Sequence, residues 1–193
     1  MKLDELLNGA AAKWPQKRAL IFPNAELTFS SLRAKARQRA RSLIGAGVRA
    51  GDHVGILSLN LPEYVESIFA ISMSGATAVP VNARYRGAEL QQVIADSDIR
   101  LLLTTSQFDD RIDFCAQLTD CYSDLSASLN PYALRIAEAP LLKSIVLFEA
   151  VQKPGFISST DFEQCGKDIT DEALNERSAS AGLESNCLMI YTS

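Results

Sequence analysis

Between Val54 and Thr104 the hydrophobic positions change their period several times. Val54-Gly55-Ile56-Leu57-Ser58-Leu59 is a short, nearly continuous apolar run, which suits a strand buried on both faces better than one with a wet side. Asn60-Leu61-Pro62-Glu63 follows with the signals of a helix start: an Asn side chain able to accept an orphan N–H, a Pro in the first turn and a Glu placed to bond back. Tyr64, Val65, Ile68, Phe69 and Met73 then recur at helical spacing, and Ser74-Gly75 offers a left-handed exit. Ala76 to Val81 is apolar again. Strand, helix and strand within about thirty residues is the size of a right-handed parallel crossover. A helix over 88–97, burying Leu90, Val93 and Ile94, and a strand over Ile99 to Thr104 repeat the pattern. It predicts an α/β fold whose mostly parallel sheet, of at least three strands, is built from repeated βαβ crossovers.

The flanks are read the same way. A helix over Leu3 to Lys13 closes at Trp14-Pro15, with Trp14 taken as a packing residue. Arg18–Phe22 and Leu27–Phe29 are β-prone runs around a Pro23-Asn24 turn and predict a hairpin. From Ser30 a helical period sets Leu32, Ala36, Ala40, Leu43 and Ile44 on one face, with Gly47 as its stop; Arg33, Lys35, Arg37, Arg39 and Arg41 beside them read as a solvated surface. Asn82 to Gly87 is a polar connection at the carboxyl end of a strand, where open α/β sheets place ligands. Downstream, a helix is expected over 107–118, a strand over Ser144–Phe148, a turn at Pro154-Gly155, short helices over Thr160–Cys165 and Asp171–Arg177 and a small-residue connection over 178–182; no element is assigned over 121–140. Cys187–Tyr191 reads as a buried strand running into Thr192-Ser193, a hydroxyl-bearing turn of the kind that opens a phosphate-binding loop.

Composition narrows the classes. The 193 residues, 47% of them hydrophobic, can bury one substantial core, so a single domain over 1–193 is expected. A net charge of -4 gives no reason to expect a nucleic-acid partner. Acids stand near the amino terminus where a secretory signal needs an apolar run, and no apolar stretch approaches the roughly 20 residues that span a bilayer. Four cysteines without a C-x-x-C pair read as reduced, structural thiols in a cytoplasmic protein. His53 is the only imidazole, which leaves no histidine cluster for zinc and no serine-hydrolase triad. Asp109-Asp110-Arg111-Ile112-Asp113 has the spacing of an aspartate-rich metal motif but reads as an acidic helix start. Gly45 to Gly51 resembles a dinucleotide fingerprint with one residue too many, and reads as a helix stop. No catalytic residue and no metal ligand is assigned.

An ordered set of motifs resembles the amino-terminal part of adenylate-forming enzymes, the family of acyl-CoA synthetases, peptide-synthetase adenylation domains and luciferases. The set comprises Leu27-Thr28-Phe29, Gly51-Asp52-His53-Val54-Gly55-Ile56, Asn60-Leu61-Pro62-Glu63-Tyr64, Gly75-Ala76-Thr77-Ala78-Val79-Pro80-Val81-Asn82, Glu89-Leu90 and Met189-Ile190-Tyr191-Thr192-Ser193. It covers most of 19–103 and the last seven or so residues. The resemblance implies the three-layer α/β/α N-terminal subdomain of such an enzyme. It also implies a two-step ligation, in which a carboxylate attacks the α-phosphate of ATP, with Mg2+ and a hydroxyl- and glycine-rich loop on the departing pyrophosphate. A thiol, that of CoA, then displaces AMP.

On that resemblance Tyr191, Thr192 and Ser193 match the start of the ATP phosphate loop. The glycines and lysine that follow in the family, the adenine-binding residues, the acidic metal-binding residue and the carboxy-terminal domain with its catalytic lysine are not among these residues, so the chain is expected to be a truncated N-terminal portion. Asn82, where amino-acid-activating members tend to have Asp, favours a CoA ligase over a peptide-synthetase-type adenylation domain, although Ala83 and Gly87 replace prolines common there. The partners implied are a small carboxylic acid, ATP and CoA, with a homodimer left open. The alternative is a non-catalytic α/β interaction module that associates through its sheet edge. The 193 residues by themselves are expected to give no carboxylate-dependent ATP–pyrophosphate exchange, and turnover in that assay refutes the expectation.

Overall fold

A computed structural model describes residues 2–108, 112–182 and 184–191. The expected Thr192 and Ser193 of the phosphate loop, and Asp109, Asp110 and Arg111 of the acidic segment, lie outside the described residues. The chain folds into two compact units.

The first unit comprises residues up to 51, 60–77 and 163–187. Its elements are α1 (Leu3–Lys13), a hairpin of β1 (Arg18–Phe22) and β2 (Ala25–Thr28), α2 (Phe29–Gly45) and α3 (Pro62–Met73). The expected strand at 27–29 ends one residue early, because Thr28 caps α2 by accepting the Ser31 N–H at 3.2 Å and Phe29 enters the helix. Asn60 does not cap α3. Leu61 stands at the cap without a side-chain bond and Pro62 opens the helix, since the residue before a proline is held extended. Apolar Leu32, Ala36, Ala40, Leu43, Ala70 and Ile71 are buried, and the small alanines let α2 and α3 pack closely.

The basic face of α2 is not simply solvated. Glu66 on α3 is 2% exposed and takes Arg39 at 3.1 Å and Lys35 at 3.5 Å, while Arg37 and Arg41 hold Asp171 at 2.9 and 2.6 Å. Asp171 opens α7 (Asp171–Ser180), whose cap Thr170 accepts from the Ala173 N–H at 3.2 Å. Hydrogen bonding and charge from Arg37, helped by Arg41, hold the Asp171 carboxyl below its usual range. The helix runs through Ser178–Ser180, which the sequence reading gave to a connection.

The second unit comprises residues 52–59, 78–162 and 188–191. Its sheet has the order β4 (Thr77–Val81), β3 (His53–Leu57), β5 (Ile99–Thr104) and β8 (Ser144–Leu147), the α/β arrangement expected. β3 pairs with β5 in parallel from Val54↔Leu101 to Leu57↔Thr104, and β5 with β8 from Leu101↔Ser144 to Thr104↔Leu147. Leu57, Val79, Leu102, Ile145 and Leu147 join one core cluster with Leu90 and Ile94 of α4 (Gly87–Asp96) and Phe114 of α5 (Phe114–Cys121). Val54, Ile56, Leu101, Leu103 and Val146, on the other face, are buried too. That explains why these strands read as continuous apolar runs.

The helix expected over 107–118 begins only at Phe114, where Asp113 caps it by accepting the Ala116 N–H at 2.8 Å; β6 (Gln107–Phe108) and β7 (Ile112–Asp113) form a small antiparallel ladder before it. Residues 122–143 form turns and no regular element, yet they send Tyr122, Leu125, Leu134 and Ile136 into the core. α6 (Ser159–Cys165) follows close to its expected place. The edge of β8 is met by a parallel bridge from Val146 to Ile157.

Gly45 ends α2 where the chain has no room for a side chain: an added Cβ would lie 1.8 Å from the Cys165 carbonyl oxygen. The oxygen belongs to the backbone and the Cβ position is fixed by it, so neither can swing away. Gly45→Ala is therefore expected to cost about 1–3 kcal/mol or more, read as a fall in the urea midpoint; an unchanged midpoint refutes this packing.

Candidate functional site

Parallel strands collect their carboxyl ends on one side of a sheet, and backbone donors and short polar side chains released there are free to meet a ligand. In the second unit those ends carry Ser58 after β3, Asn82 after β4, Thr105 and Ser106 after β5 and Glu149 after β8. The turns are built locally. Asn82 accepts the Arg84 N–H on its side chain and the Tyr85 N–H on its carbonyl, both at 3.0 Å, an Asx-type turn that reverses the chain at the tip of β4. Arg86 donates to the carbonyls of Ala83 and Tyr85 at 2.7 Å each. Asn82 itself is exposed.

The neighbouring tips are tied to one another. The Thr104 hydroxyl donates to the Leu57 carbonyl at 2.7 Å, joining β5 to β3. The Glu149 carboxylate accepts the Thr105 hydroxyl on one oxygen and the Ser106 N–H at 2.9 Å on the other. Its backbone carbonyl takes the Ser159 N–H at 2.9 Å. One carboxylate thus fixes the loop after β5 against the end of β8. Sequence reasoning missed this group, although a Glu immediately after a strand and a Thr-Thr-Ser run at the end of another are the signals that could have found it. Behind these tips Cys115 is buried, and burial pushes its thiol up to about 12, so it stays protonated and inert.

The segment 187–191 was expected as a buried strand and is not one. It makes a single parallel bridge, Leu188 to Ala78, with the Met189 N–H on the Ala78 carbonyl at 2.9 Å. Met189 and Tyr191 pack against the core cluster, whereas Leu188 and Ile190, of opposite parity, are 41% and 64% exposed. Only one side of the segment is covered, so the run is apolar throughout without being buried throughout. The bridge is parallel, so the chain beyond it advances in the direction of β4. Among the described residues no cluster of three His, Cys, Asp or Glu could hold a metal ion. Asp113, the described acid of the aspartate-rich segment, is occupied as the cap of α5. The Thr104 and Thr105 hydroxyls and the Ser106 N–H are spent on bonds within the protein, so among the described residues of these tips it is Asn82 that stands exposed.

A parallel sheet with polar residues at its carboxyl tips is a frame on which α/β proteins place ligands, and the comparisons make the family specific. The sequence pattern of the AMP-binding enzyme family matches residues 7–193, and the chain belongs to that family. Acyl-CoA ligase sidI of Aspergillus fumigatus is 27% identical over 193 residues, covering 99% of this chain and 31% of that protein. The 2-succinylbenzoate–CoA ligase of Oceanobacillus iheyensis is 35% identical over 147 residues, covering 76% of this chain and 29% of that one. The crystal structure of the anthranilate CoA ligase AuaEII in complex with anthranoyl-AMP is similar with a TM-score of 0.65 at 25% identity, covering 85% of this chain and 27% of that one. The chain spans about a third of the length of the curated relatives it matches.

Replacing Glu149 by Ala removes the acceptor of both the Thr105 hydroxyl and the Ser106 N–H. A stability loss of about 1–3 kcal/mol is expected, together with faster hydrogen exchange at the Ser106 amide; exchange at the wild-type rate refutes the bridging role.

Proposed function

We propose that residues 1–193 form the N-terminal portion of the AMP-binding domain of an acid–CoA ligase. In the reaction a carboxylate oxygen bonds to the α-phosphorus of ATP and pyrophosphate leaves; the CoA sulfur then bonds to the acyl carbon and AMP leaves. The part given to this chain is to supply the sheet and one wall of the acyl and nucleotide site, and to begin the phosphate loop with Tyr191, Thr192 and Ser193. Such a role needs oriented hydroxyl and N–H donors near developing phosphate charge, and no covalent chemistry from these residues.

The observation that carries the reading is the parallel bridge between Ala78 and Leu188. It lays the segment ending in Tyr191 alongside β4, whose own tip is the exposed Asn82 turn. This direction of travel supports a phosphate loop that begins toward the carboxyl ends of the parallel strands. Mg2+ belongs to the proposal only as a companion of ATP, because the described residues offer no acidic cluster for it; no step is assigned to it here. The exposed Leu188 and Ile190 favour a second reading, in which the edge beside β4 serves association with another protein and the chain has no catalytic part.

The reading frame beyond codon 193 and the activity of the whole gene product separate the two. A Gly-Thr/Ser-Thr-Gly sequence followed by Lys, with ATP–pyrophosphate exchange that depends on an added carboxylic acid and AMP release that depends on CoA, is the expected result. A stop codon at that point and no exchange with any acid of an aliphatic and aromatic panel overturns it in favour of the interaction module.

A further inference from the structure

Trp14, expected as a packing residue, is covered only in part. It is 45% exposed, with the Lys13 ammonium 4.5 Å and the Lys17 ammonium 5.5 Å from the centre of its ring. The turn that presents it is fixed: the Lys17 N–H bonds to the Trp14 carbonyl at 3.1 Å, and the carbonyls of Pro15 and Lys17 accept the N–H groups of Ser30 and Phe29 at 3.0 Å. Leu6, seven residues before Lys13 and so on the same face of α1, is 50% exposed. An exposed indole with two ammonium groups close to its ring unites an apolar body with positive charge.

From Leu6 to Gly51 the sequence carries nine Lys and Arg against a single acid, Glu26, with Asp4 and Glu5 just before this stretch and Asp52 just after, in a chain whose net charge is -4. Arg37, Arg39 and Arg41 are engaged by Asp171 and Glu66, and Arg18 by Glu26 at 3.3 Å. Lys13, Lys17 and Arg33 are exposed. No helix among the described residues is long and apolar enough to cross a membrane, so contact with lipid would be at the interface, where tryptophan and basic side chains settle.

We propose that Lys13, Trp14 and Lys17, with Leu6 two turns earlier on the Lys13 face of α1, dock this chain on an anionic lipid surface. The lysines meet lipid phosphates and carboxylates while the indole and Leu6 enter the boundary of the acyl region. A polyanion such as RNA would satisfy the lysines and leave Leu6 in water, which is why lipid is the occupant the patch fits. The inference rests on the surface of the first unit and is independent of the ligase reading.

Trp14 is the only tryptophan, so its fluorescence reports this patch directly. With vesicles of phosphatidylcholine and phosphatidylserine, a blue shift, quenching by bromine-labelled lipid and reversal in 1 M salt are expected, since screening there shortens the reach of charge to about 3 Å. The double variant Lys13→Glu/Lys17→Glu should bind roughly thirtyfold more weakly or worse, and Lys13→Arg/Lys17→Arg as well as the parent. Circular dichroism of both variants checks that they are folded. The proposal is overturned by no shift on anionic vesicles, by equal binding to pure phosphatidylcholine, by an unchanged affinity of the charge-reversed variant, or by an equal shift with an RNA homopolymer.

Discussion

The parallel ladder between β3 and β5 is the constraint on which the second unit depends. Two parallel neighbours cannot be joined by a tight turn, so each step from one strand to the next requires a long connection, and the backbone groups of strands buried on both faces have no water to turn to. Val54, Ile56 and Leu57 answer this with a run that is apolar on either side, and Leu101, Leu102 and Leu103 answer it across the ladder. The long connections deliver their polar residues to the strand ends, and the Thr104, Thr105 and Glu149 bonds then hold those ends together.

Much of this was legible in the sequence because its signals are local. The strand at Ile99–Thr104 coincides with its apolar run, and α1 with its periodicity. Where reading by pattern failed, the deciding partner lay elsewhere or a neighbour overrode the cue. Pro62 displaced Asn60 as the determinant of the α3 start, and Asp113 moved a helix start seven residues onward, from 107 to 114, by accepting the Ala116 N–H. Residues 122–143 gave no period because they form no regular element, even though their apolar side chains are core.

The candidate site was legible in outline only. Asn82 stands at the end of a strand, where the polar connection was expected, and Tyr191 packs against the core cluster without the strand expected to carry it. Glu149 was invisible because its partners are 43 and 44 residues away. The same holds for Glu66, buried with Arg39 across 27 residues, which turned a face expected to be wet into an internal ion pair. Composition assigns charge to a helix face; only tertiary contact says which charges are spent.

The Val146–Ile157 bridge has a consequence for how the molecule behaves among its neighbours. Ile157 accepts from the Leu147 N–H at 2.8 Å and donates to the Ile145 carbonyl at 2.9 Å, and Ser159 takes the next outward carbonyl, that of Glu149. Two outward groups of β8, the Ile145 carbonyl and the Leu147 N–H, are therefore already filled, which shortens the rim open to a passing chain. Newly made copies crowded together during synthesis are denied that part of the rim as a template for intermolecular stacking, a safeguard against aggregation provided by a loop with no strand of its own.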